Sequence, residues 1–214
     1  MAAKSSLRNM TLCLTAVCLV CAAILGGVYA LTYEPIKAAD EAALKAGIGA
    51  VLPEGVNISG EQICEGEGQS YSYYTATDAG GDVVAYAVKS NTMGFGGTLS
   101  LMVGVLPDGT VYNTSVLSHS ETPGLGAKCT TDQSFMSQWK GLSPDKVIKV
   151  TKDGGDIDAI TASTITSRAY SLAVANAVAV AKSLASGRQK ADGVSGATAR
   201  AEDKQTTEGG ADNE

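Results

Sequence analysis

From Asn9 to Tyr33 the chain carries no charged residue. A helix needs roughly 20 apolar residues to cross a bilayer, so this run of mostly Leu, Val, Ala and Cys is long enough to span. Whatever follows must then fold beside a membrane. Lys4 and Arg8 precede the run, and basic flanks stay on the cytoplasmic side. The expectation is a cell-membrane protein with a single pass, a cytoplasmic N-terminus and an extracytoplasmic main domain. A cleaved signal peptide is the rival reading, because Val28-Tyr29-Ala30 puts small residues at both positions that a signal peptidase reads. Against it, the apolar run exceeds the usual core of such a leader.

Beyond the anchor the pattern divides the chain into a stalk helix over 34–55, one domain over 56–186 and a polar tail over 187–214, with 1–33 as cytoplasmic N-terminus and anchor. The stalk has Ala, Leu and Ile on one side from Ile36 to Val51 and stops before Pro53. The tail mixes Gly, Ala, Thr and charges of both signs without apolar periodicity, which predicts disorder. A net charge of −6 and a pI near 4.8 leave no basic patch for a phosphate backbone, so nucleic acid is excluded as a partner.

Cys13, Cys18 and Cys21 stand at the C-x4-C-x2-C spacing of one class of iron–sulfur ligand. All three lie inside the apolar run and lack a fourth thiolate, so they read as small hydrophobes. Cys64 and Cys129 fall in the main domain, where oxidising conditions allow a disulfide if the fold brings them together.

Two pairs of β-rich runs read as hairpins: Tyr71 to Thr77 with Val83 to Lys89, joined through Asp78-Ala79-Gly80-Gly81-Asp82, and Leu99 to Leu106 with Val111 to Leu117, joined through Pro107-Asp108-Gly109-Thr110. Gly94, Gly96 and Gly97 mark a sharp loop before the third run. Phe135 to Trp139 reads as one or two helical turns and Val147 to Val150 as a short strand. A final helix covers Thr164 to Ser186, with Ile165, Ala169, Leu172, Asn176, Ala179 and Ser183 along one face. Strands followed by a C-terminal helix give an α+β fold with a mainly antiparallel sheet.

Two segments carry the chemistry. Asp158 to Ser167, D-A-I-T-A-S-T-I-T-S, sets a run of hydroxyls where the last helix begins. Unpaired backbone N–H groups and the positive end of the helix dipole favour a phosphate there, although Ser and Thr are also the ordinary N-caps of helices. Leu117 to Lys128, L-S-H-S-E-T-P-G-L-G-A-K, is a loop by composition, in which Pro123 fixes one torsion and Gly124 and Gly126 free others. His119, the sole histidine, makes no metal site by itself.

Together these segments resemble the flavin-binding domain shared by the G subunit of the Rnf electron-transport complex and the C subunit of the sodium-translocating NADH:quinone reductase. The likeness spans nearly the whole chain before the tail. It rests on the single anchor, on G-F-G-G-T-L-S-L-M-V-G-V at Gly94 to Val105, and on the two segments above, of which E-T-P-G-L-G is the most distinctive string. In that family a flavin transferase joins FMN through a phosphoester to the threonine of a Ser-Gly-Ala-Thr motif followed by x-Thr-Ser. Thr161, Ala162, Ser163 and Thr164 take the four motif places here, and Ile165-Thr166-Ser167 supplies the continuation.

The resemblance therefore implies covalent FMN on Thr164, with Thr161, Ser163, Thr166 and Ser167 around its phosphate. It also implies that Glu121, Thr122, Gly124, Leu125 and Gly126 lie against the ring, the two glycines admitting it to the backbone. A second copy of the motif, Ser195-Gly196-Ala197-Thr198, matches letter for letter in the tail but lacks the x-Thr-Ser continuation and a following apolar helix, which leaves Thr198 as a second candidate. The implied activity is electron carriage within an Rnf-type ferredoxin:NAD oxidoreductase coupled to sodium or proton movement, with no turnover by this chain alone. Its partners would be the other subunits and, during maturation, the transferase. A C-type quinone-reductase subunit and a non-redox exported binding or scaffold module are the alternatives.

Overall fold

The computed structural model describes residues 7–66, 69–187 and 190–191. Helix α1 runs unbroken over Leu7–Val51 and is long and apolar enough, by length and composition, to cross a membrane. It passes through Pro35, which cannot donate to the carbonyl of Leu31, and continues as the expected stalk. Strands β1 (Asn57–Ile58), β2 (Gln62–Gly66), β3 (Gln69–Thr77), β4 (Val83–Met93), β5 (Thr98–Val105) and β6 (Val111–Ser118) follow. After them come a 3-10 turn at Gly126–Thr130, the short helix α2 (Gln133–Ser137), a second 3-10 turn at Thr151–Asp153, helix α3 (Thr164–Ala185) and the two-residue strand β7 (Lys190–Ala191).

The strands make one sheet in the order β6-β5-β4-β3-β2-β7, with β1 also paired to β3. All pairs are antiparallel except β7 with β2, which brings two residues of the expected tail alongside Glu65 and Gly66. The α+β class with a mainly antiparallel sheet is the one the sequence predicts. Both hairpins form, closing through Asp78 and through Leu106–Thr110.

Side chains alternate across the sheet, and both faces are covered. On one face Tyr86 and Val88 of β4 and Leu99, Leu101, Val103 and Val105 of β5 pack under α3. On the other, Ala85, Ala87 and Met102 meet Ile48, Val51 and Leu52 from the end of α1. Burial on both faces makes the central strands nearly continuous apolar runs. Gly104 faces α1, and a Cβ there would collide with the carbonyl of Val51, so this glycine sets how closely the stalk approaches. Asn113 Nδ2 adds a hydrogen bond of 2.9 Å to the Ala50 carbonyl. The stalk is thereby part of the domain's second core.

Near the base of α3 an aromatic cluster fixes α2. Trp139 stacks on Tyr170 at 5.0 Å, Phe135 meets both rings edge-on, and the Tyr170 hydroxyl shares a buried 2.8 Å hydrogen bond with Thr114. Cys64 and Cys129 are both buried and both free thiols.

Two expectations fail locally. Val147 to Val150 is not a strand. The Asp156 carboxylate accepts from the Val147 N–H, and Ile157 bonds back to Lys149 and Thr151, so the segment satisfies its backbone within its own loop and only Val150 bridges Ile157. Along α3, the expected face holds at Ala169 and Asn176, which are buried, but Ile165 is exposed and Leu172, Ala179 and Ser183 are half-buried; the deepest residues are Thr166, Ser167, Tyr170, Ala173, Val174, Ala177, Val180 and Ala181. Beyond Tyr170 the helix lies so close to the sheet that its buried face is made largely of Ala and Val, and Leu172 and Ile165 sit at the margins.

Candidate functional site

Glu121 organises the site. It is 5% exposed, and its two oxygens tie three segments together: Oε1 accepts from the Phe95 N–H at 2.8 Å and from the Gly96 N–H at 3.5 Å, while Oε2 accepts from the Thr166 hydroxyl at 2.8 Å. Two glycines make room for this carboxylate. A Cβ on Gly94 would strike Oε1, and one on Gly126 would strike Oε2 and the Thr166 hydroxyl. Gly126 thus lets the loop close on Glu121, whereas Gly124 takes the left-handed φ of +77° that turns the chain at the surface. Cys129 lies in the core beneath, its thiol pushed up to about 11 by burial and by the Glu121 charge.

The hydroxyls of the cluster divide by role. Ser167 Oγ accepts from the Ile160 N–H at 2.9 Å and donates to the Ser163 carbonyl at 3.0 Å, which folds the chain tightly into the start of α3. Thr166 is committed to Glu121. Ser163 occupies the N-cap position but makes no capping bond; its Oγ is buried and unpartnered. The ordinary Ser/Thr cap is therefore absent, and α3 opens with backbone N–H groups that no side chain caps. Thr161 is exposed on the preceding turn. Thr164 is half-buried, and its Oγ1 accepts from Lys152 Nζ at 3.4 Å.

Ala162 has a φ of +62° and is the sole described residue other than glycine with a positive φ. L-residues meet a cost of about 1–2 kcal/mol in that region. It stands where the resembled motif has Gly, so the backbone keeps a glycine's shape under a different side chain. The loop holding Lys152 is fastened by a bidentate pair: Arg168 Nε and Nη2 donate to the two Asp153 oxygens at 2.7 and 2.6 Å. Those hydrogen bonds hold the Asp153 carboxyl below the usual carboxylate range.

Thr164 opens on a cavity of about 340 Å³ that also takes in Ser163, Thr166, Glu121, Thr122, Leu125 and Gly126. The fold thus brings together seven of the residues that the sequence nominated. Thr161 and Gly124 lie outside the lining, and Ser167 is buried beneath it. Thr198 falls outside the described residues. Phe95, Ala162 and Ile165 also line the cavity and were not nominated. Phe95, Ile165 and Leu125 remain 68, 51 and 45% exposed, which leaves an apolar platform beside Thr164 that none of the described residues covers. Phe95 had a readable signal, an isolated aromatic between glycines in G-F-G-G. Lys152 had none, since its place depends on the Arg168–Asp153 pair.

These features suit a flavin phosphate. The orphaned Ser163 hydroxyl and the uncapped helix start offer donors to an anion, and the apolar platform offers a surface to a planar ring.

Comparison with known proteins gives the same direction. Residues 94–179 match the FMN-binding domain family. The chain is 34% identical over 167 residues to the G subunit of the ion-translocating oxidoreductase complex of Methanosarcina acetivorans, covering 74% of this chain and 88% of that protein. It is also 34% identical over 177 residues to the G subunit of the proton-translocating ferredoxin:NAD(+) oxidoreductase complex of Clostridium ljungdahlii, covering 82% and 91%. Among solved structures, NqrC of Shewanella oneidensis aligns at 24% identity and a TM-score of 0.43, over 64% of this chain and 70% of that one. With an FMN-binding domain behind one apolar helix, and relatives matched over most of their length, the chain belongs to the family of G subunits of ion-translocating oxidoreductase complexes.

Proposed function

We propose that this protein is a membrane-anchored flavoprotein electron carrier, a subunit of an Rnf-type complex that moves electrons between ferredoxin and NAD and couples them to sodium or proton translocation. FMN is held covalently by a phosphoester to Thr164, in a domain that lies on the extracytoplasmic side. The isoalloxazine supplies the redox chemistry, accepting one or two electrons, while the protein sets its position and surroundings.

The observation that carries the reading is the allocation of hydroxyls. Thr166 and Ser167 are locked into hydrogen bonds inside the fold, Ser163 is buried, and Thr161 lies off the cavity. Thr164 combines partial exposure with a place on the cavity wall at the start of α3. Esterification requires an activated donor. With a flavin dinucleotide, the pyrophosphate bond breaks and AMP leaves as the Thr164 oxygen bonds to the flavin-bearing phosphorus, the hydroxyl proton passing to a base of the transferase. Phe95, Leu125 and Ile165 then offer an apolar face to the ring, and Glu121 keeps the Phe95 loop in place.

The test is co-production with a flavin transferase followed by denaturing electrophoresis. The wild-type band should fluoresce yellow, Thr164→Ala should lose the label, and Thr198→Ala should keep it. A label lost only in Thr198→Ala would move the attachment to the tail, and flavin released by simple unfolding would remove the covalent link altogether.

A further inference from the structure

We propose that Lys152 is the positioning residue for the phosphate, supplying the positive charge that holds it at Thr164 both as it arrives and once it is esterified. This rests on the reading of Thr164 as the attachment point. Lys152 sits on the 3-10 turn Thr151–Asp153, twelve residues before Thr164, and its ammonium donates to Thr164 Oγ1 at 3.4 Å. That oxygen is the atom through which the phosphoester forms, so its non-bridging oxygens come within reach of the same ammonium.

Among the described residues, no ion pair compensates the charge of Lys152. Asp153, the adjacent carboxylate, has both oxygens occupied by Arg168, which is thereby also neutralised. The ion pairs among the described residues are Arg168–Asp153 and Lys146–Asp156, and neither includes Lys152. An anion drawn to Thr164 therefore meets, at the attachment oxygen itself, the ammonium of Lys152. Around it stand the unpartnered Ser163 hydroxyl, more than nine-tenths buried on the cavity wall, and the first N–H groups of α3. These are neutral donors that select for an anion without competing for the ammonium.

The Arg168–Asp153 pair has a further use in this arrangement. It spans from α3 back to the turn and fixes where the lysine begins, so a flexible side chain acts from a defined base. Arginine at 152 would preserve the charge, and glutamine would preserve only the length.

The test uses full-length protein in detergent, loaded by co-production with the transferase, as wild type, Lys152→Arg, Lys152→Gln and Lys152→Glu. Two quantities are read: covalent flavin per chain after denaturation, and fluorescence anisotropy of the attached flavin in the folded protein. An ordering by charge supports the proposal. Lys152→Arg should match wild type in both readouts. Lys152→Gln should load about threefold less, or show anisotropy falling towards that of a freely rotating flavin, and Lys152→Glu should lie lower still. A purely structural lysine would lower the melting temperature of all three variants and leave no such order. Equal loading and anisotropy in wild type, Lys152→Gln and Lys152→Glu would overturn the proposal, as would a loss in Lys152→Arg equal to that in Lys152→Gln. Wild type without covalent flavin would sink the Thr164 reading itself, and this proposal with it, before any variant is compared.

Discussion

Glu121 shows how much one buried charge can organise. A carboxylate excluded from water is expensive unless it is hydrogen-bonded, and this one receives two backbone N–H groups and a threonine hydroxyl from separate segments. Its removal leaves the Phe95 and Gly96 N–H groups and the Thr166 hydroxyl without this acceptor. Glu121→Ala should therefore lower folding stability by about 2 kcal/mol, the usual scale for leaving buried donors unmet. Denaturant unfolding would read this, and an unchanged midpoint would contradict it. Glu121→Gln keeps the shape and one acceptor oxygen, so its loss should be smaller. The sequence exposed part of this arrangement. E-T-P-G-L-G announced the loop and D-A-I-T-A-S-T-I-T-S announced the hydroxyls, yet neither string says that Glu121 and Thr166, forty-five residues apart, meet head-on.

The elements differ in how far they could be read beforehand. The hairpins were legible because alternation and turn chemistry agree on both sides of Asp78–Asp82 and Pro107–Thr110. Val147 to Val150 has equally good strand composition, but Asp156 and Ile157 take up its backbone groups locally, a competition that composition does not record. The buried face of α3 was misread for a different reason. Close helix–sheet approach rewards small side chains, so Ala173, Ala177 and Ala181 lie deeper than Leu172. The same closeness governs the other face, where Gly104 admits the Val51 carbonyl. Gly104→Val should force β5 and α1 apart, at a cost of about 1–3 kcal/mol typical of overpacking. Limited proteolysis should then cut near residues 50–56 faster than in wild type. An unaltered cleavage rate would show that the stalk yields without strain.

On the scale of the molecule, the helix that continues the anchor shares a core with the flavin domain. Ile48, Val51 and Leu52 belong to the same apolar cluster as Tyr74, Ala85 and Met102. No linker separates the membrane helix from the sheet, since 45 residues of α1 run straight into that cluster. Ile48, Val51 and Leu52 lie on the stalk side of the boundary expected at residue 55, yet they pack in the core of the domain that follows.

A domain fixed on a helical post has a compass bearing as well as a height. Each residue inserted into the exposed stretch between Ile36 and Ala42 lifts the domain by about 1.5 Å and rotates it by about 100°. Two inserted residues would turn the Thr164 face nearly backwards for a lift of only about 3 Å, whereas four would lift it by about 6 Å yet bring it round to within about 40° of its starting direction. Electron transfer through the assembled complex should suffer more from the shorter insertion than from the longer one. A loss that simply grows with length would mean that the post swivels and carries no bearing at all.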